Sequence, residues 1–154
     1  MASEVNLKMR KFHVAKGFSS DDVILPSRST QNSAGYDFRS LETYTLKPHE
    51  SHVFSTGVKA EMEKDEVLYL FIRSSIGIKK GVLLSNSVGV IDADYFENEK
   101  NDGHIMIALS NISDEEVLIQ KGDKIAQGVF MKYLVTDDDA SAGTRTGGIG
   151  STGK

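Results

Sequence analysis

Glu66-Val-Leu-Tyr-Leu-Phe-Ile72, continuing through Arg73-Ser-Ser-Ile-Gly-Ile-Lys-Lys80, Gly81-Val-Leu-Leu84 and Ser85-Asn-Ser-Val-Gly-Val-Ile-Asp-Ala-Asp94, is the stretch that decides the fold. Its first run is apolar and aromatic, of strand length and bounded by charged residues. Ser74–Lys80 is the one segment patterned as a helical turn, with Gly81 in the position that closes a helix. Val82–Leu84 and Gly89–Ala93 are again short β-patterned runs. The same pattern extends in both directions, through Lys11-Phe-His-Val-Ala15, Tyr36–Arg39, Ser51–Thr56, His104–Ser110, Glu116–Ile119 and Ile125–Tyr133. Spacings of about ten residues, with Gly, Pro, Asn or Asp between runs, predict an all-β sandwich or barrel. Asn101-Asp-Gly103 separates two apolar runs and predicts a hairpin turn. From Thr136 onward, glycine, Ser/Thr and the acidic run Asp137–Asp139 predict a flexible arm, so residues 1–135 read as one β-domain and 136–154 as its C-terminal extension.

Composition narrows the function. At 154 residues the chain is one domain with room for a core. Without cysteine it has neither disulfides nor thiol chemistry. A formal net charge of −4 supplies no basic footprint, which argues against direct nucleic-acid binding. No apolar stretch approaches a membrane span and no secretion-signal pattern opens the sequence, so a soluble cytoplasmic protein is expected. The histidines have no zinc-ligand spacing. A metal, if used, is expected to be Mg²⁺ held largely by substrate phosphates.

Several short stretches carry candidate chemistry. Thr144-Arg-Thr-Gly-Gly-Ile-Gly-Ser-Thr-Gly-Lys154 contains a phosphate-loop string, Gly148 to Lys154, but no helix-patterned segment follows to complete the anion site. Its amides, hydroxyls and arginine still suit a polyphosphate; a disordered tail explains the composition too. Asp92 and Asp94 project to one face if their segment is extended, as a metal-holding or water-orienting pair or as a polar strand end. Arg73-Ser74-Ser75 opens a helical turn and reads as an anion cradle or as a simple cap beside an exposed arginine. Asp37, in Ala34-Gly-Tyr-Asp37, lies at a strand entrance. Gln127, between Ala126 and Gly128 in an apolar run, calls for a polar partner.

In sequence order, Ala34–Asp37, Arg73–Ser75, Gly89–Tyr95, Gly122–Gln127 and Arg145–Gly153 resemble the motifs of the trimeric dUTP pyrophosphatases, the dUTPases. The resemblance runs from Ser33 to the C-terminus. It implies a jelly-roll-like β-sandwich that assembles as a homotrimer, with sites built from several subunits and an arm that closes over the nucleotide. The implied reaction is Mg²⁺-assisted attack of water on the α-phosphorus of dUTP, giving dUMP and pyrophosphate. This keeps uracil out of DNA and supplies dUMP for thymidylate synthesis.

By the same resemblance, Asp92 is the base that deprotonates the water, and Asp37 approaches Mg²⁺ through water. Arg73, Ser74, Ser75 and Gln127 are phosphate contacts. Asn86, Val90 and Ile91 read uracil, mostly through main-chain groups, with Met106 beside them. Tyr95 packs under deoxyribose and excludes a 2′-hydroxyl. In the arm, Arg145, Ser151 and Thr152 contact the β- and γ-phosphates, with Ile149 and Gly150 over the base. The arm motif commonly carries Phe where this chain has Ile149, and Phe96 reads either as the aromatic that takes over stacking or as a hairpin aromatic that is exposed or buried at a subunit interface. Phe96-Glu-Asn-Glu-Lys-Asn-Asp102 lengthens the third-motif hairpin, as in Gram-positive bacterial and phage members. Some phage members use such surfaces to bind repressor proteins; a solvated loop explains the segment without a partner. A sister enzyme, dCTP deaminase, uses a glutamate on the following strand, where this chain has Ala108.

Overall fold

The structure is a computed structural model that describes residues 9–153; the first eight residues of the expected β-domain and Lys154 of the phosphate-loop string lie outside the described residues. In chain order the strands are β1 (Lys11–Val14), β2 (Tyr36–Arg39), β3 (Tyr44–Leu46), β4 (Ser51–Ser55), β5 (Val58–Glu61) and β6 (Glu66–Ile72). Helix α1 (Ser74–Lys80) precedes β7 (Val82–Leu84), β8 (Gly89–Asp92), a 3₁₀ turn at Ala93–Tyr95, β9 (Met106–Asn111), β10 (Val117–Ile119) and β11 (Lys124–Lys132). Two antiparallel sheets dominate, one ordered β2-β11-β6-β8 and the other β4-β9-β7, with the pairs β1-β5 and β3-β10 beside them. Phe38, Leu68, Leu70 and Ile125 from the first sheet share one apolar core with Phe54, Ile107 and Leu109 from the second. This is the expected jelly-roll-like β-sandwich.

Most β-patterned runs coincide with strands because their alternation follows one buried face. In β9, Ile107, Leu109 and Asn111 are buried while Met106, Ala108 and Ser110 are only partly covered. Helix α1 is closed by Gly81, whose φ of 66° lies in the left-handed region. Two strands lie outside the sequence-based expectation. β3 has only three residues and pairs with β10 alone. β5 alternates buried Val58 and Ala60 with charged residues, but lies just beyond the Ser51–Thr56 run, separated by Gly57. The expected hairpin at Asn101–Gly103 is also corrected. β8 pairs with β6, whereas β9 pairs with β4 and β7, so the intervening loop carries the chain from one sheet to the other.

His104 anchors the end of this crossing. Its buried Nε2 accepts a hydrogen bond from the Gly57 N–H at 3.0 Å, and its ring lies 4.5 Å from that of Phe18. Burial pushes its pKa below the ordinary 6.5, and the acceptor role also requires the neutral ring. The unfolded chain takes up a proton below about pH 6.5 that the folded chain refuses, so this stabilisation is complete above that pH and is lost as pH falls toward the folded value. Urea denaturation from pH 7 to pH 5 is expected to show a falling midpoint, with a shallower fall in His104→Gln.

Candidate functional site

The candidate residues gather in two places. The first is a cleft where β2, β11 and the end of β6 meet, lined by Asp37, Arg73, Ser74 and Gln127. Gln127 lies opposite Asp37 on one side and Phe71 on the other, so these side chains share a face. Its Nε2 points toward the Ile72 carbonyl at 3.4 Å, the polar partner its sequence context calls for. Arg73 caps α1 through an extended backbone without a side-chain capping bond, and its Nε instead meets Asp37 Oδ1 at 3.0 Å. Lys124 Nζ reaches Asp37 Oδ2 at 3.3 Å, and Ser29 Oγ donates to the same oxygen at 2.8 Å. Burial raises the Asp37 pKa, but the hydrogen bonds from Ser29 and Lys124 and the two cations outweigh it, leaving the group below its usual value. Two cations face one carboxylate here, so the cleft is electropositive and suits an anion.

The second place is a cavity of about 270 Å³ at the mouth of the sandwich. β8 forms its wall. As the outermost strand of its sheet, β8 bonds to β6 along one edge and, among the described residues, leaves its other edge without a ladder. Asn86, in the turn entering β8, lines the cavity with Val90, Ile91, Asp92, Tyr95 and Met106. The arm closes the opposite side with Arg145, Ile149 and Thr152. Arg145 is nearly covered and ion-pairs with Asp92 while its Nε donates to Asp94 Oδ1 at 3.0 Å; the two carboxylates remain half exposed. Ser151 Oγ is buried on the arm with no hydrogen-bond partner among the described residues.

These groups appear with the backbone frame of a known family. The dUTPase family model matches residues 21–153. The chain belongs to the dUTPase family. A deoxyuridine 5′-triphosphate nucleotidohydrolase of Lactococcus lactis is 48% identical over 149 residues, covering 96% of this chain and 99% of the relative. A crystal structure of the dUTPase from Streptococcus mutans superposes with a TM-score of 0.76 at 42% identity, covering 82% of this chain and 98% of that one. A mutant dUTPase from phage phi11 of S. aureus, described with a structural Mg(II) ion, shares the fold at 22% identity and a TM-score of 0.71, over 86% of this chain and 96% of that one.

Within one dUTPase chain the two places are far apart. Asp92 lies opposite Val67 of β6, and Arg73 follows the extended strand six residues further on. At about 3.3 Å per residue that is roughly 20 Å. Neither Ser75 nor Gly150 lines either pocket, although each adjoins residues that do. Phe96 does not line the cavity of its own chain. The chain leaves the 3₁₀ turn there, and its ring faces His13 at 5.5 Å and Lys59 Nζ at 5.2 Å instead of entering the cavity. Ile149, 89% exposed, is the apolar side chain at the cavity mouth. Sequence reading also misses Ser29 and Lys124 as partners of Asp37, and Asp94 as a partner of Arg145. Lys124 lies inside a quoted motif; Ser29 carries no local signal.

Among the described residues no three His, Asp or Glu side chains converge as a metal cage. Asp37 is engaged by Arg73 on Oδ1 and by Lys124 and Ser29 on Oδ2.

Asp37→Asn is expected to cost about 1–3 kcal/mol in chemical denaturation at neutral pH, the range for hydrogen bonds to a buried charge. The gap from wild type should close as pH falls below the ordinary carboxyl value of 3.8, where the native carboxylate's advantage is lost. Ile149→Ala should weaken nucleotide affinity in equilibrium binding, whereas Phe96→Ala should leave it unchanged.

Proposed function

We propose that this dUTPase-family chain hydrolyses dUTP to dUMP and pyrophosphate, in cytoplasmic homotrimers whose sites are shared between copies. The observation that carries the reading is the cavity at β8, where a strand edge, Tyr95, Asp92 and four arm residues (Arg145, Gly148, Ile149 and Thr152) converge. Backbone donors and acceptors along such an edge are fixed in space and can match uracil, while a 5-methyl group would meet the wall. Tyr95 lies beneath deoxyribose and Ile149 covers the base. Asp92 stands beside the α-phosphorus, takes a proton from a water molecule, and that water's oxygen bonds to phosphorus as the bond to the pyrophosphate oxygen breaks.

Arg145 holds Asp92 until nucleotide arrives. Incoming phosphates carry more negative charge than the two carboxylates and draw the guanidinium to themselves, which frees Asp92 for water. Ser151, with its hydroxyl otherwise unpaired among the described residues, and Thr152 join it on the phosphates. Arg73, Ser74 and Gln127 come from another copy, because a base at the α-phosphorus and a guanidinium on the same triphosphate must lie a few bonds apart, not roughly 20 Å. Exposed Val53, Leu83 and Ile112 provide apolar surface for that association. A bound Mg²⁺ would offset the charge of the phosphates, with Asp37 approaching it through water.

The product supplies dUMP for thymidylate synthesis, and the reaction keeps uracil out of DNA. A deaminase reading is not supported, since Ala108 stands on the cavity wall where an acid would be needed. The Phe96–Asp102 loop, a candidate repressor-binding surface by resemblance, is bonded to its own domain through Lys59 and Lys16 and leaves Glu97, Glu99 and Lys100 exposed.

Pyrophosphate release from dUTP, dTTP, dCTP and UTP with Mg²⁺ tests the assignment. Release from dUTP alone is expected, reduced about 10²- to 10⁴-fold in Asp92→Asn. Mixing Asp92→Asn with Arg73→Ala chains and refolding them together should restore activity that neither has alone. No recovery would mean that each chain holds a complete site.

A further inference from the structure

We infer that Asn101 is a positioning residue for sugar discrimination: it locks the Tyr95 ring in place and joins that ring to the arm. The inference rests on the reading of Tyr95 as the floor beneath deoxyribose. Tyr95 OH donates to the His104 carbonyl, and Asn101 Nδ2 donates to the same phenol oxygen at 2.9 Å. The phenol is thus held from two directions. Burial raises the Tyr95 pKa, more than the hydrogen bond from Asn101 and the charge of Arg145 lower it, so the hydroxyl keeps its proton for His104.

The orientation of the Asn101 amide is determined by its neighbours. Its Oδ1 accepts from the Gly103 N–H at 3.1 Å and from Asn98 Nδ2 at 2.7 Å. A backbone N–H can only donate, so the oxygen must face Gly103 and the NH₂ must face Tyr95. Asn98 is itself buried, with its Nδ2 on the Tyr95 carbonyl at 2.8 Å and its Oδ1 accepting from the N–H groups of Lys100 and Asn101. Asp102 ties the loop to the domain through Lys59 Nζ and the Lys16 N–H, each at 2.8 Å. The loop is therefore braced against its own domain while Glu97, Glu99 and Lys100 stay exposed to solvent.

The arm closes against this loop. A Cβ at Gly148 would lie 3.1 Å from Tyr95 Cε2 and 3.3 Å from Asn101 Nδ2, so the arm backbone rests on the pair at a distance that favours glycine. A ring pinned on one side by Asn101 and overlaid by Gly148 cannot tilt to admit a 2′-hydroxyl. Freeing the phenol should relax that exclusion before it affects the chemistry at phosphorus.

The test compares kcat/KM for UTP and dUTP in wild type, Asn101→Asp, Tyr95→Phe and the double variant. Asn101→Asp keeps the Oδ1 acceptor for Gly103 and Asn98 but loses the donor to Tyr95. The UTP/dUTP ratio is expected to rise about three- to tenfold in each single variant, the scale of one lost hydrogen bond. The double variant should match Tyr95→Phe alone, because Asn101 acts through the hydroxyl. An unchanged ratio in Asn101→Asp, or an additive double variant, overturns the inference. Should Asn101→Asp fail to fold, Tyr95→Phe decides, since it leaves the bonds within the loop intact; an unchanged ratio there overturns the inference too. Wild type that releases no pyrophosphate from dUTP, or accepts UTP equally, instead overturns the functional reading on which this rests.

Discussion

Strand β6 gives its backbone to β8 along one edge and to β11 along the other, and the spacing of the site follows from that double pairing. Leu68 and Leu70 bury its inner face, and each such side chain contributes about 1.5–3 kcal/mol of burial free energy. The strand therefore has little freedom to bend or slide. At one end its neighbour β11 presents Gln127 beside Asp37 and Arg73; at the other, β8 presents Asp92. A register slip of one residue along β6 would turn both groups to the wrong face. The separation of the Asp37 cleft from the β8 cavity thus depends on a ladder of backbone bonds.

The charge pattern divides in the same way. In the Asp37 cleft Arg73 and Lys124 outnumber the carboxylate, while at the β8 cavity Asp92 and Asp94 outnumber Arg145. The whole chain carries a formal charge of −4, yet the Asp37 cleft is a locally positive surface suited to an anion. Net charge argues against duplex nucleic acid as a partner and says nothing about this local field. The field depends on which side chains the sheet brings opposite one another.

Much of the fold is legible in the sequence, for reasons visible in particular elements. Glu66–Ile72 and Ser74–Lys80 have the expected bounds, because an apolar run meets a charged boundary and then a glycine able to take a positive φ. β3 and β5 are not legible, since three or four residues give too little periodicity to register. In the candidate site, the side chains whose chemistry is local stand out: an aspartate pair, an arginine before two serines, a glycine-rich arm. Their supports do not. Ser29 and Lys124 meet at Asp37 from distant points in the chain, and Asn101 reaches Tyr95 only because the loop folds back on itself. Phe96 misleads for a related reason. Its position next to Tyr95 in sequence suggests a shared cavity, but the 3₁₀ turn ends between them and sends the ring toward β1 and β5.

An unladdered strand edge is normally a hazard, because it offers a template to any extended segment of another molecule. β8 cannot be protected by the usual charged bulge or proline without losing the groups that face the cavity. The arm lies across the cavity beside the strand, with Arg145 and Gly148 among the residues that line it. A chain trimmed back to its β-domain would therefore bare this strand edge beside the cavity.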